Sequence, residues 1–496
     1  MTAAPDPADP AGLSDLADLA LDEVRRVRGV RIDYADVRAA HDESQSVDVR
    51  DDRVEGVTSE SSRGVGIRVL VDGAWGFAAT GTPDPAGVRA SVALAIEVAR
   101  ASGHVRGEHS RVRLDDTPPA SGGYVTPHER DPLEVPLTEK VELLLAAAAA
   151  AREARGLAYV EVVTDAFRRR MSFRSTAGAR IEQTVLQVGG GLHAWAVGGG
   201  EAQVRCYPNS FRGQYVTGGW EAVVGFDLPG HALDTAREAV ALLDAPDLPH
   251  VEDATVVLDS SQVALQVHES IGHPLELDRI LGMERAYAGT SFVDVDDRGQ
   301  LQYAAPLVTV TADATTPGAL GTFGFDDEGV PAGEDDLIRD GRLVGFLTNR
   351  ETAAQLGQRS GGTARADSWG TIPLIRMNNV SLQPREGDLE SIVADTARGF
   401  LLVTNRSWSI DDRRHNFQFG CEAAYEITGG QRGRLYRNSS YAGRTVDFWR
   451  SCDALGGPSD WVVWGVPNCG KGEPAQNARV GHGAPTGRFR ATVGVR

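Results

Sequence analysis

The chain has 496 residues, 41% hydrophobic and 6% aromatic, with 50 Lys+Arg against 69 Asp+Glu for a formal net charge of −19. At about 100–200 residues per domain this length predicts two to four globular units, and the composition excludes a disordered chain. The acidic balance repels polyanions and disfavours direct nucleic-acid binding as a function.

The first stretch, Met1 to Gly12, is acidic and proline-rich, lacks the basic and apolar regions of a secretory signal, and is expected to be a disordered tail over 1–12. Leu13 to Arg28 carries Leu16, Ala20, Val24 and Val27 at helical spacing and stops at Gly29. From Val30 to Thr80 short alternating stretches predict an antiparallel sheet, with Asp72-Gly73 as a hairpin turn, and Pro85 to Ser102 predicts a second helix.

After a Pro/Gly/Ser-rich connector from Thr117 to Pro136 the order repeats. A helix at Thr138–Arg155 is followed by strands at Tyr159–Val163, Met171–Ser175, Arg180–Val188 and Leu192–Val197, then by a helix at Ala232–Leu243. The two halves, helix–strands–helix each, predict a duplicated N-terminal α/β domain over 13–245. The two prolines of Ala245–Asp253 mark a linker, and 254–496 reads as short strands and glycine turns with short helices at Glu351–Leu356 and Leu389–Arg398. The expected class is therefore α+β, with a C-terminal, mostly antiparallel, barrel-like β domain.

The longest aliphatic run, Leu143 to Ala151, falls short of the roughly 20 residues a membrane span needs. Four scattered cysteines, at 206, 421, 452 and 469, do not make a disulfide framework and point to a reducing, cytoplasmic setting.

Chemistry concentrates in Val257 to Pro274, where a strand runs into a helix bearing His268, Glu269 and His273. Metallopeptidase helices place two histidines four residues apart, about 40° around the axis at 100° per residue. Here the separation is five, which in a regular helix aims the imidazoles about 140° apart. One π-type turn, at roughly 82° per residue, reduces the offset to about 50°, and Gly272 and Pro274 flank the place where it would fall.

A catalytic zinc takes three protein ligands and leaves a position open. Candidates for the third are the four cysteines, His415, His482, Glu276, Asp278 and the acidic run Asp326–Glu328. Cys469, in a glycine-flanked turn with Lys471 nearby, is favoured because a thiolate there could approach an ion closely. In this scheme Glu269 is the general base for amide-bond hydrolysis.

Leu265 to Asp278, together with Cys469-Gly-Lys-Gly-Glu-Pro474 and Gly481-His-Gly-Ala-Pro485, resembles the TldD/PmbA family of zinc peptidases, once called modulators of DNA gyrase. The similarity extends over most of the chain. It implies Zn2+ held by His268, His273 and Cys469, Glu269 as base, and a homodimer or a heterodimer with a paralogous subunit enclosing the site. Some family members lack the histidine helix and act as inactive partners, whereas this chain keeps it. Implied substrates are unstructured peptides, such as leader or precursor segments, bound as an added strand. Alternatives are an amidase in natural-product biosynthesis and a non-catalytic regulatory subunit with structural zinc.

Other features draw plainer readings. Gly189–Gly191 and Gly198–Gly200 are expected as hairpin turns, Asp326–Glu328 as a solvated acidic loop, and Arg168–Arg170 and Arg413-Arg414 as solvated strand ends. Trp461 and Trp464 are expected in the core, and His482 either lines the substrate site or is a satisfied structural histidine.

Overall fold

The structure, a computed structural model, describes residues 12–105 and 111–495. Apart from Gly12, the expected tail lies outside the described residues. Eight strands before Thr217 make one sheet: β1 (Ile32–Arg50), β2 (Arg53–Val71), β3 (Ala74–Thr80), β4 (Ser121–Val125), β5 (Leu157–Ser175), β6 (Arg180–Gly198), β7 (Glu201–Tyr207) and β8 (Gln214–Thr217). The order is β3-β2-β1-β5-β6-β4, with β7 and β8 also on β6. Five helices accompany it: α1 (Leu13–Arg26), α2 (Pro85–Val105), α3 (Leu137–Arg152), α4 (Trp220–Gly225) and α5 (Leu228–Asp244).

The two halves repeat in length as well as order. Strands β1, β2 and β3 have 19, 19 and 7 residues, and β5, β6 and β7 have 19, 19 and 7. The halves meet where β1 and β5 pair antiparallel, from Asp36↔Ser175 to Arg50↔Glu161. Asp72 and Gly73, with φ of 49° and 76°, turn the β2–β3 hairpin as expected from the Asp-Gly pair.

One expectation fails instructively. β5 and β6 are each one long strand where four short ones are predicted, because Gly189–Gly191 lies within β6 and not in a turn. A Cβ on Gly189 would come within 2.3 Å of the Tyr215 ring, and one on Gly190 within 2.4 Å of the Val163 carbonyl oxygen. The glycines allow close backbone approach inside the sheet. Gly199-Gly200, by contrast, does form the β6–β7 hairpin turn.

Side-chain alternation divides the sheet into unlike faces. Ala35, Val37 and Ala39 of β1 pack with Val65, Ile67 and Val69 of β2 under α1 and α2, and α3 and α5 cover the second half in the same way. The opposite face carries buried Asp36, Arg38 and Arg68, and it meets the rest of the chain. Arg68 Nη2 reaches Asp36 at 2.6 Å and Nη1 reaches Glu328 at 2.8 Å. The run Asp326–Glu328 is thus no solvated loop: Asp326 is 1% exposed and accepts from the backbone N–H groups of Glu328, Val330 and Ala364.

From Val251 onward the scaffold is β-rich. The strands Arg398–Ile410, Val251–Leu258, Gly487–Val493, Ser439–Arg444 and Asn416–Thr428 pair in that order, and the last pairs with the first, closing a five-stranded barrel. Closure removes free edges. Phe417, Phe419, Tyr441, Phe448, Trp449 and Phe489 fill one core cluster, with Phe448 stacked on Phe489 at 4.4 Å between ring centroids. The two expected short helices are present at Arg350–Gln355 and Leu389–Ala394, and Arg398 already belongs to the barrel.

Replacing Arg68 with Ala leaves the Asp36 and Glu328 carboxylates buried without their shared cation. We expect a loss of about 3–5 kcal/mol in unfolding free energy, read from the urea midpoint.

Candidate metal centre

The barrel strand Val251–Leu258 ends at Asp259, whose carboxylate accepts from Gln262 N at 2.8 Å and starts the helix Ser260–Val267. From Ser261 onward every residue of this helix is buried, so its polar side chains need internal partners. Gln262 Nε2 donates to the Tyr441 hydroxyl at 2.8 Å, and that hydroxyl donates to Gln266 Oε1 at 2.8 Å.

His268–Gly272 then forms a π turn, sealed by an i→i+5 bond from His273 N–H to the His268 carbonyl. Side chains take up carbonyls along the altered ladder: Ser270 Oγ donates to Gln266 O at 2.6 Å, and the Tyr303 hydroxyl donates to Ser270 O at 2.5 Å. Trp449 Nε1 donates to the same Ser270 Oγ at 2.8 Å. Gly272 has no room for a side chain, since a Cβ there would sit 2.0 Å from Met377 Sδ. Pro274 has no N–H to continue the ladder, and the chain passes into a 3-10 turn, His273–Leu275.

The wide turn brings the two rings to 4.8 Å between centroids, nearly perpendicular at 88°. Hydrogen bonding sets their tautomers. His482 Nδ1 lies 2.9 Å from the Val380 carbonyl and so carries its proton there; its Nε2 then accepts from His268 Nδ1 at 2.7 Å. His273 Nδ1 donates to Glu276 Oε2 at 2.9 Å. Both rings are left with an Nε2 lone pair, as metal-ligating histidines require. Burial lowers the pKa of both, holding them neutral.

Cys469 comes from the hairpin of Val462–Lys471 and Gln476–Ala484, where it pairs with Ala478 just after a bulge that follows Val466. It therefore sits in a strand, not in the turn expected from its glycine neighbours. Its Sγ is 3.6 Å from His273 Nε2, and the ligand atoms of His268, His273 and Cys469 all lie within 4.8 Å of one another. A tetrahedral zinc with Zn–N of about 2.0–2.1 Å and Zn–S of about 2.3 Å sets nitrogen and sulfur about 3.5–3.6 Å apart, so this donor set fits one. Burial pushes the Cys469 thiol up, but His273 and Arg376 outweigh it and hold the group below its ordinary value. Burial pushes the other three cysteines upward without such compensation. Of the four, Cys469 is the one whose thiol is shifted downward.

Glu269, 5% exposed, accepts from Arg414 Nη1 at 2.8 Å. Arg414 sits in the barrel turn after Ile410 with φ 62°, and Asp411 ties that turn down by accepting from the N–H groups of Arg413, His415 and Asn416. The expected solvated strand end is instead a partner of the site. Nothing in the sequence signals this contact, since 145 residues separate the pair.

Of the other ligand candidates, Glu276 receives His273 and lies 3.3 Å from buried Lys471, and Asp278 binds Lys471 at 2.7 Å. Lys471 is thereby turned toward carboxylates. The spacing of three from His273 to Glu276 was a readable sign of this support. His482 is fully buried with both ring nitrogens engaged behind His268. His415 stacks on Phe292 at 5.5 Å and meets Arg444, and Asp326–Glu328 lies in the joint with the eight-stranded sheet.

Residues 252–494 match the PmbA/TldA metallopeptidase C-terminal domain and residues 35–101 match its domain 1. A metalloprotease of Methanothermobacter thermautotrophicus is 30% identical over 469 residues, 94% of this chain and 96% of its own. A zinc metalloprotease TldD homologue of Saccharolobus solfataricus is 27% identical over 203 residues, 40% of this chain and 42% of its own. Among solved structures, a Thermotoga maritima protein described as a modulator of DNA gyrase superposes with a TM-score of 0.74 over 97% of this chain and 99% of its own, at 17% identity. The chain belongs to the PmbA/TldD metallopeptidase family. Among the described residues no helix is long and apolar enough to cross a membrane.

Because Gly272 and Met377 compete for one volume, Gly272→Ala should destabilise the protein by about 1–3 kcal/mol. Combining it with Met377→Ala should recover part of that loss, seen as a favourable coupling of about 1 kcal/mol or more in a double-mutant cycle of unfolding free energies.

Proposed function

We propose that the chain is a zinc-dependent peptidase cleaving exposed, extended peptides, with His268, His273 and Cys469 as ligands and Glu269 as general base. The observation that carries this reading is the pair of Nε2 lone pairs, preset by His482 and Glu276, converging with the Cys469 sulfur in a buried pocket. A bound zinc supplies Lewis acidity there, acidifying water and polarising a peptide carbonyl.

The protein's own groups do the rest. Glu269, next in sequence to one ligand, takes the proton from water and returns it to the leaving amine. Arg414 fixes the Glu269 carboxylate so that one oxygen is committed to the guanidinium and the other is free for proton transfer. His482 is a positioning residue, holding His268 in the tautomer that ligation needs, and is not a substrate contact. Three protein ligands leave a coordination position for the reaction, as catalytic zinc sites require. A peptide substrate and pairing with a second subunit, identical or paralogous, belong to the same proposal, and membership of a metallopeptidase family supports the peptide.

Zinc analysis and peptide turnover test it together. Glu269→Gln should keep about one zinc per chain and lose about 10²–10⁴-fold in kcat. Cys469→Ala should lose the metal, and His482→Ala should weaken zinc binding by about 10–100-fold. Full activity in protein stripped of metal would overturn the reading.

A further inference from the structure

Beside the metal centre lies a cavity of about 140 Å³ between β6, the loop around Phe323–Asp327 and the Cys469 hairpin. It is far larger than the ~10–15 Å³ that one water needs. Its wall includes Ala478, the cross-strand partner of Cys469, and two arginines, Arg365 and Arg479.

What distinguishes these arginines is the absence of a direct ion pair, although Asp327 acts on Arg365 and Asp42, Asp367 and Asp165 act on Arg479 from further away. Arg169, also in the wall, is neutralised by Asp42 at 2.7 Å. Among the described residues, neither Arg365 nor Arg479 has a carboxylate within 4.0 Å. Arg365 donates instead to the Arg479 carbonyl and lies over the Phe323 ring at 5.7 Å. Arg479 donates through Nε to Gln187 Oε1 at 2.5 Å and stacks on Phe167 at 4.1 Å. The two carboxylates in the wall are occupied elsewhere. Asp327 accepts from Ala366 N and faces Arg38 and Arg169 at 3.9 Å, while Asp367 accepts from the Thr371 hydroxyl and Asn477 N.

A third cation, Arg376, 1% exposed, stands close behind and donates to the carbonyls of Cys469 and Gln476. Burial, with the like charge of Arg376, brings Arg365 down to about 9 against the opposing pull of Asp327. Burial, with Arg169 nearby, brings Arg479 down to about 10 against the opposing pull of Asp42, Asp367 and Asp165. Half-buried guanidiniums held by rings and carbonyls, and not by a carboxylate at contact distance, keep N–H donors that a bound carboxylate would engage.

We propose that this cavity is a subsite for a carboxylate of the peptide substrate, held by Arg365 and Arg479. The proposal rests on the peptidase reading, and it adds selectivity for acidic or C-terminal residues to a site that otherwise reads backbone. A fork of guanidinium donors recognises a carboxylate from a chain terminus and one from Asp or Glu by the same chemistry.

Binding to the full-length, zinc-loaded Glu269→Gln protein separates this from catalysis, because no cleavage is needed for the readout. Calorimetric titration would compare four forms of one unstructured peptide: free acid or amide at the C-terminus, each with Glu or Gln inside. A carboxylate-bearing form should bind at least tenfold tighter than its neutral counterpart. Preference for the acid over the amide identifies a terminal carboxylate, and preference for Glu over Gln identifies a side chain. Either preference should collapse in Arg365→Gln and persist in part in Arg365→Lys. Equal affinity of all four forms, absence of binding by the charged forms, or a preference untouched by Arg365→Gln overturns the proposal. Turnover of the neutral form by the wild type remains a separate test of the peptidase itself.

Discussion

Two histidines five residues apart can face one another only if the helix between them is widened by a residue. Much of the surrounding structure serves that one irregularity. Gly272 gives Met377 the space a side chain would fill, Pro274 ends the ladder, and Ser270, Tyr303 and Trp449 occupy the polar groups along the turn. A regular helix would need none of these. Their burial explains why the barrel's aromatic core lies beside the motif: the irregular turn is held by packing and by internal hydrogen bonds, not by helix propensity.

The second organising constraint is the two-faced N-terminal sheet. One face is a conventional apolar bed for helices, and the other is lined with Asp36, Arg38, Arg68 and Arg169. Charges in such a joint contribute little net attraction after desolvation, but they penalise any displaced arrangement in which one partner is left alone. The sheet is therefore fixed in register against the loops that lead to the His268–His273–Cys469 cluster. The walls of the cationic cavity, drawn from β6 on one side and the Cys469 hairpin on the other, depend on that register.

Local chemistry was legible in the sequence, and distant pairing was not. Five-residue spacing with flanking Gly and Pro foretold the π turn, Asp72-Gly73 foretold its hairpin, and the repeated element order foretold the two halves, though not the lengths of their strands. The glycine run at 189–191 misled because glycine marks either a turn or a close approach, and only the position of Tyr215 distinguishes them. Asp326–Glu328 misled because an acidic triplet before glycine is solvated in most settings, and its partners here, Arg68 among them, come from another layer. Arg414 meets Glu269, and Arg365 meets the Arg479 carbonyl, purely through tertiary proximity, which no periodicity encodes.

The chain of hydrogen bonds behind His268 ends on the main-chain oxygen of Val380. Every amino acid presents that oxygen, so no replacement at position 380 can delete the acceptor. Sequence drift is thus free to act on the far end of the relay while its middle, His482, stays exposed to selection. A ring orientation anchored in backbone needs one fewer coded residue.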